Sequence, residues 1–141
     1  MLIGMPGAGK TYLGRKYAER QNKRFVDLDD LIVLHEGKSI PEIFAEKGED
    51  YFRNLETELL RETCKETGLI IACGGGIVKR KANYGIIKQN SRVVWVKRDI
   101  DKLETAGRPI SQSTPLEKLY EERKDAYESW SDYFIDNNQD F

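Results

Sequence analysis

Apolar residues along the chain fall into two alternating patterns. Leu2 to Met5, Phe25 to Asp29, Leu69 to Cys73, Val93 to Val96 and Tyr133 to Ile135 predict strands. The unbroken runs at Leu69 to Cys73 and Val93 to Val96 are expected in a sheet buried on both faces. Between these runs the pattern turns helical. One helix is predicted from about Lys10 to Gln21. Ser39-Ile40-Pro41-Glu42 is a capping box that opens a short helix, since Ser and a Glu three residues on satisfy each other's backbone N–H groups. Phe52, Leu55, Leu59, Leu60 and Thr63 recur at helical spacing between Asp50 and Thr67. Thr114-Pro115-Leu116-Glu117 repeats the capping logic, with Pro at the first helical position, and opens a last helix to about Ser129.

Strands alternating with helices predict an α/β fold, a three-layer αβα sandwich with a central parallel sheet. Ligands of such a sheet sit beyond the carboxyl ends of its strands. That rule converts element order into a site map: Gly4 to Thr11, Asp27 with Asp29, and Gly74 to Gly76 are delivered to one rim.

Composition narrows the classes. The 141 residues suit a single domain, and no repeat or Pro/Gly/Ser linker divides them. Lys and Arg number 23 against 24 Asp and Glu, a net charge of −1, which excludes the basic excess of a general nucleic-acid or anionic-membrane binder. The apolar runs fall far short of the roughly 20 residues that span a bilayer. No basic segment followed by an apolar one opens the chain, as a secretion signal would. Cys64 and Cys73 with His35 cannot build a disulfide framework or a four-ligand metal site. A reduced, cytoplasmic, monomeric globule is expected.

Gly4-Met5-Pro6-Gly7-Ala8-Gly9-Lys10-Thr11 fits G-x-x-x-x-G-K-[ST] without a gap, between a strand and a helix. Its glycines let backbone N–H groups turn toward phosphate oxygens, Lys10 adds a point charge, and Thr11 supplies a hydroxyl for Mg²⁺. This loop predicts nucleoside triphosphate binding. Asp27 and Asp29 lie two apart, so both side chains of a strand end would point the same way. Beside a phosphate loop they suit one metal-associated role and one role toward an acceptor hydroxyl. The same pair also reads as a polar strand end with Asp29 or Asp30 capping the next helix.

Two arginines stand out. On the last helix Leu116, Tyr120, Arg123 and Tyr127 form one stripe, and a guanidinium in an apolar stripe needs an anion, an ion pair or a route to solvent. Arg53 has Glu56 one turn on; taken alone, that spacing reads as a solvated surface pair. Gly74-Gly75-Gly76 permits close approach of a ligand, or makes a tight turn. Arg108, before Pro109, either reaches over nucleotide or decorates a loop. Lys79-Arg80-Lys81 reads as a solvated helix face.

Taken in order, GMPGAGKT, FVDLD, the FRNLE of Phe52 to Glu56, CGGG, GRP and ERKDAY resemble the shikimate kinase family over nearly the whole chain. The resemblance implies a fold like that of nucleoside-monophosphate kinases and ATP-dependent phosphorylation of the 3-hydroxyl of shikimate, on the route to chorismate and the aromatic amino acids. It implies that Gly7, Ala8, Gly9, Lys10, Thr11 and Tyr12 hold ATP with Arg108 as a lid arginine. Thr11 would bind Mg²⁺, with Asp27 reaching it through water. Asp29 would bind the acceptor hydroxyls as the positioned base. Arg53 and Arg123 would clamp the shikimate carboxylate beside Gly74, Gly75 and Gly76. Catalysis would then rest on Lys10, Asp29 and Arg108. Residues 1–30 would form the phosphate-binding core, about 31–67 the substrate-binding helices, and about 101–114 the lid.

The chain departs from the family pattern in a short stretch between Trp95 and Arg108, a first strand preceded by little sequence, and only six residues after Ile135, without a closing helix. Another small-molecule kinase of the gluconate type, or a nucleotide kinase, is the nearest alternative. A GTPase switch would carry N-K-x-D, which Asn22-Lys23-Arg24-Phe25 fails at its last position. A catalytically silent nucleotide-binding module would be expected to have lost Lys10, Asp29 or an arginine.

Overall fold

The computed structural model describes residues 1–103 and 115–138. Its strands are β1 (Leu2–Ile3), β2 (Arg24–Asp27), β3 (Leu69–Ala72), β4 (Val94–Lys97) and β5 (Tyr133–Asp136). Its helices are α1 (Lys10–Gln21), α2 (Leu28–Glu36), α3 (Ile40–Thr63), α4 (Lys81–Asn90) and α5 (Leu116–Trp130), with short 3₁₀ turns at Gly75–Lys79 and Ile100–Lys102. The sheet order is β2-β3-β1-β4-β5 and every pairing is parallel. The α/β sandwich expected from the alternation is therefore the fold.

Registers bring the strand ends level. Ala72 stands between Leu2 and Asp27, and Lys97 stands opposite Asp136. β1, β2 and β3 then run on into site segments, so the loop after β1, the turn after β3 and the start of α2 share one rim.

Burial explains why the layers hold. Ile3, Leu28, Leu60, Ile77, Ile87, Val93 and Tyr127 belong to the main core and are wholly inaccessible, under helices that flank the sheet. A second small core of Ile32, Ile43, Phe52 and Leu55 joins α2 to α3, with the Phe44 and Phe52 rings 4.8 Å apart. The capping box at Ser39 forms as expected, Ser39 Oγ accepting from Glu42 N–H and Glu42 Oε1 from Ser39 N–H. The helix it opens is short because Gly48, at φ 85° and ψ 172°, leaves helical geometry before the chain resumes the helix that carries Arg53.

Several expectations need correction. The second strand stops at Asp27, not Asp29, because the Asp27 side chain accepts from Asp29 N–H at 2.9 Å and Asp30 N–H at 3.3 Å and so starts α2. The capping residue is therefore Asp27 itself rather than Asp29 or Asp30. Pro115 is not the first helical residue. Its ψ of 137° leaves it outside α5, where its carbonyl accepts from Lys118 and Leu119 N–H; Thr114 lies outside the described residues. Lys79-Arg80-Lys81 is a junction between a 3₁₀ turn and α4, not a helix face, with Lys79 bound to Glu49 and Arg80 to Asn54.

Candidate active site

The loop after β1 is held by its own chain. Gly9 takes φ 94°, a left-handed conformation open to glycine at little cost, and from it α1 begins at Lys10. The Lys10 side chain is buried and folds back, donating to the Gly4 carbonyl at 2.6 Å and the Met5 carbonyl at 3.0 Å. Ala8 N–H donates to Met5 O at 3.2 Å. A longer tie comes from Asn137 beyond β5, which is buried and donates through Nδ2 to Ala8 O at 2.8 Å. No sequence signal marked Asn137. Tyr12, on the first turn of α1, is half exposed with the Lys16 ammonium over its ring.

One small cleft joins this loop to both acids, since Gly7 to Thr11, Asp27 and Asp29 line it together. Thr11 Oγ1 donates to Asp27 Oδ2 at 2.8 Å. The two aspartates therefore share the cleft, though not as alternate residues of one strand. Asp27 turns one oxygen to the α2 N-terminus and the other to Thr11. Asp29 sits in the first turn of α2 with its carboxylate against Gly74, where a Cβ would stand 2.8 Å from Oδ1.

Arg53 and Glu56 correct the surface-pair reading. Their side chains are 4% and 0% exposed, and Arg53 Nη1 donates to Glu56 Oε1 at 3.0 Å. Arg53 Nε donates to Glu49 Oε2 at 3.1 Å, and Glu49 also receives Lys79. Glu49, one turn before Arg53, was missed, although its i,i+4 spacing was legible. The Arg53 guanidinium fills the space above Gly76, which a Cβ would overlap. Among the described residues, Arg53 Nη2 and Glu56 Oε2 are buried without a hydrogen-bond partner. A guanidinium nitrogen left so is costly unless an anion completes it.

Arg123 is buried on α5, but the fully buried stripe is Leu119, Arg123, Tyr127 and Trp130, with Leu116 and Tyr120 only partly covered. Burial pushes Glu56 up to about 7, against the opposing pull of Arg53 and Arg123 and with a further push from Asp29. Asp29 against Gly74, Arg53 over Gly76 and Glu56 on Arg53 gather around one turn, to which Tyr127 also ties the helix that carries Arg123. Arg108, Pro109 and all but the first three residues of the expected lid lie outside the described residues.

The sheet order and the glycine loop between β1 and α1 define a P-loop kinase fold, and solved structures agree. The chain superposes on shikimate kinase from Acinetobacter baumannii in complex with shikimate with a TM-score of 0.94, at 33% identity, covering 99% of this chain and 83% of that one. A gluconokinase from Sinorhizobium meliloti shares the fold alone, with a TM-score of 0.55 at 15% identity. The shikimate kinase family model matches residues 6–140. Shikimate kinases of Clostridium beijerinckii and Aromatoleum aromaticum are each 39% identical to the chain, over 99% of its length and 86% and 85% of theirs. The chain belongs to the shikimate kinase family.

Proposed function

We infer that this chain transfers the γ-phosphoryl group of ATP to the 3-hydroxyl of shikimate, giving ADP and shikimate 3-phosphate on the route to chorismate and the aromatic amino acids. One observation carries the acceptor side: two buried arginines, Arg53 with an unpartnered nitrogen over Gly76 and Arg123 one turn before the tyrosine that bonds Gly75, flank a glycine turn at the rim that holds the phosphate loop. Such a pair calls for a carboxylate, since charge-assisted contacts to guanidinium offset the cost of burying it.

Phosphoryl transfer asks the protein mainly for position and charge. Lys10 and the loop N–H groups of Gly7, Ala8, Gly9 and Thr11 hold the phosphates, with Tyr12 at the start of the helix and Arg108 closing over ATP. Lys10 donates to the Gly4 and Met5 carbonyls, and a short swing of its flexible three-donor ammonium turns it to phosphate oxygen. Asp29 faces the cleft from the acceptor side and accepts the proton of the attacking hydroxyl. Arg53 and Arg123 hold the acceptor's carboxylate while the Gly74–Gly76 turn lets its ring approach the backbone.

The adjacent Thr11 hydroxyl and Asp27 carboxylate fit Mg²⁺, which takes oxygen ligands and keeps several waters. Thr11 would hold it directly and Asp27 through water. Mg²⁺ bound there would neutralise charge on the phosphates. The chain works in this reading as a single cytoplasmic domain and a monomer.

The test is ADP release by the purified chain with ATP and Mg²⁺, with and without shikimate. Turnover is expected with shikimate and at background with gluconate or a nucleoside monophosphate. Equal turnover without an acceptor, or preference for gluconate, contradicts the reading.

A further inference from the structure

Tyr127 lies one helical turn beyond Arg123 on α5, and its side chain is wholly buried. Packing accounts for the ring, which sits 5.8 Å from Trp95 between centroids. It does not account for the hydroxyl, which donates to the Gly75 carbonyl oxygen at 2.6 Å. Arg123 stands one turn earlier on the same buried face of α5, and its charge acts on the phenol. A guanidinium has only donors, a carbonyl only accepts, and a phenol does one of each. The direction of the Tyr127–Gly75 bond is therefore fixed: the phenol donates and the carbonyl accepts. Burial pushes the phenol up to about 12 against the pull of Arg123 and Arg53, so the proton this arrangement needs stays in place at neutral pH. Gly75 is clamped from its other side as well, where a Cβ would stand 2.7 Å from Pro6 Cδ.

We propose that the Tyr127 hydroxyl is a positioning group for acceptor recognition, tying the helix that carries Arg123 to the Gly75 turn so that both meet the acceptor in one fixed arrangement. This rests on the reading of Arg123 and Gly75 as acceptor-binding residues. Tyr127 touches no reacting atom. It acts by removing the freedom of α5 and the turn to shift relative to each other, and such freedom would weaken a two-sided grip on a small ring.

Tyr127→Phe keeps the ring and deletes only the bridge. The shikimate KM is expected to rise about five- to tenfold, the scale of one lost hydrogen bond, while kcat and the ATP KM stay within about twofold. Leu119→Ala, on the same buried stripe but without a polar tie, should lower Tm and leave the shikimate KM alone. An unchanged shikimate KM in Tyr127→Phe overturns the proposal, as does an equal rise in the ATP KM, or a Leu119→Ala variant that reproduces the shikimate defect. A wild-type chain without shikimate-dependent turnover would instead overturn the functional reading, and this proposal with it.

Discussion

Residues 4–11 hold their shape mostly through neighbours a few positions away, whereas the wall around Arg53 and Arg123 joins α3, the turn after β3 and α5. On the loop side, Lys10 reaches carbonyls six and five residues back. On the wall side, the Tyr127–Gly75 bond spans 52 residues and Arg53 packs on Gly76. In the proposed reading the loop meets an anion with backbone donors and one ammonium, groups that need little support. The wall would meet one with guanidinium groups taken out of water, beside a glutamate that burial pushes up to about 7. Buried, incompletely paired charges are a cost to folding. In the proposed reading, recognition of phosphate is local in this fold, while recognition of the acceptor is where stability is given up.

The sharpest break should come at the loop. Lys10→Ala is expected to depress kcat about 10³-fold or more, the scale of a lost transition-state charge contact, while cooperative unfolding persists. Steady-state kinetics and a thermal melt decide it; loss of cooperative unfolding would make Lys10 structural instead. Next comes the junction between the two sides. Asp29→Asn should lower kcat by roughly 10²-fold with little change in ATP affinity. Asp27→Asn should instead raise the Mg²⁺ requirement, read from a Mg²⁺ titration of the rate. Rescue of Asp29→Asn by excess Mg²⁺ would exchange their roles.

On the wall, Arg123→Ala should raise the shikimate KM about thirtyfold, or ~2 kcal/mol for a charge-assisted contact, and the ATP KM far less. Matching rises for both substrates would place Arg123 outside the acceptor grip. The smallest expected effect is on stability. Glu56 titrates near 7 in the folded chain against an ordinary 4.5, so the native state holds the extra proton between those values. Stability contributed by this group is complete below about pH 4.5 and is lost as pH rises through about 7. Glu56→Gln mimics the protonated form. Its Tm relative to wild type should climb between pH 5 and pH 8; a flat or falling difference contradicts the assignment.

The same contrast decided what was legible in the sequence. The phosphate loop is contiguous, so eight residues and their flanking pattern located it, and α1 has the limits that the pattern predicts. The capping box at Ser39 was equally local. Failures came where a neighbour distant in sequence or a competing local bond decides. Phe25-Val26-Asp27-Leu28-Asp29 alternates like a strand, yet the Asp27 cap turns it into a helix at Leu28. Arg53 and Glu56 have the spacing of a surface pair, and nothing within α3 reveals that Gly76 closes over the Arg53 guanidinium. Asn137 and the Tyr127 hydroxyl act through partners 129 and 52 residues away, beyond any periodicity.

The central claim is that the wall reads one carboxylate. It is tested most directly by kcat/KM for shikimate against its methyl ester, which keeps the ring and hydroxyls but removes the negative charge. The account predicts a loss of about thirtyfold or more for the ester in the wild-type chain, the scale of one charge-assisted contact, with the ATP KM unchanged. An ester turned over as well as the acid would contradict it.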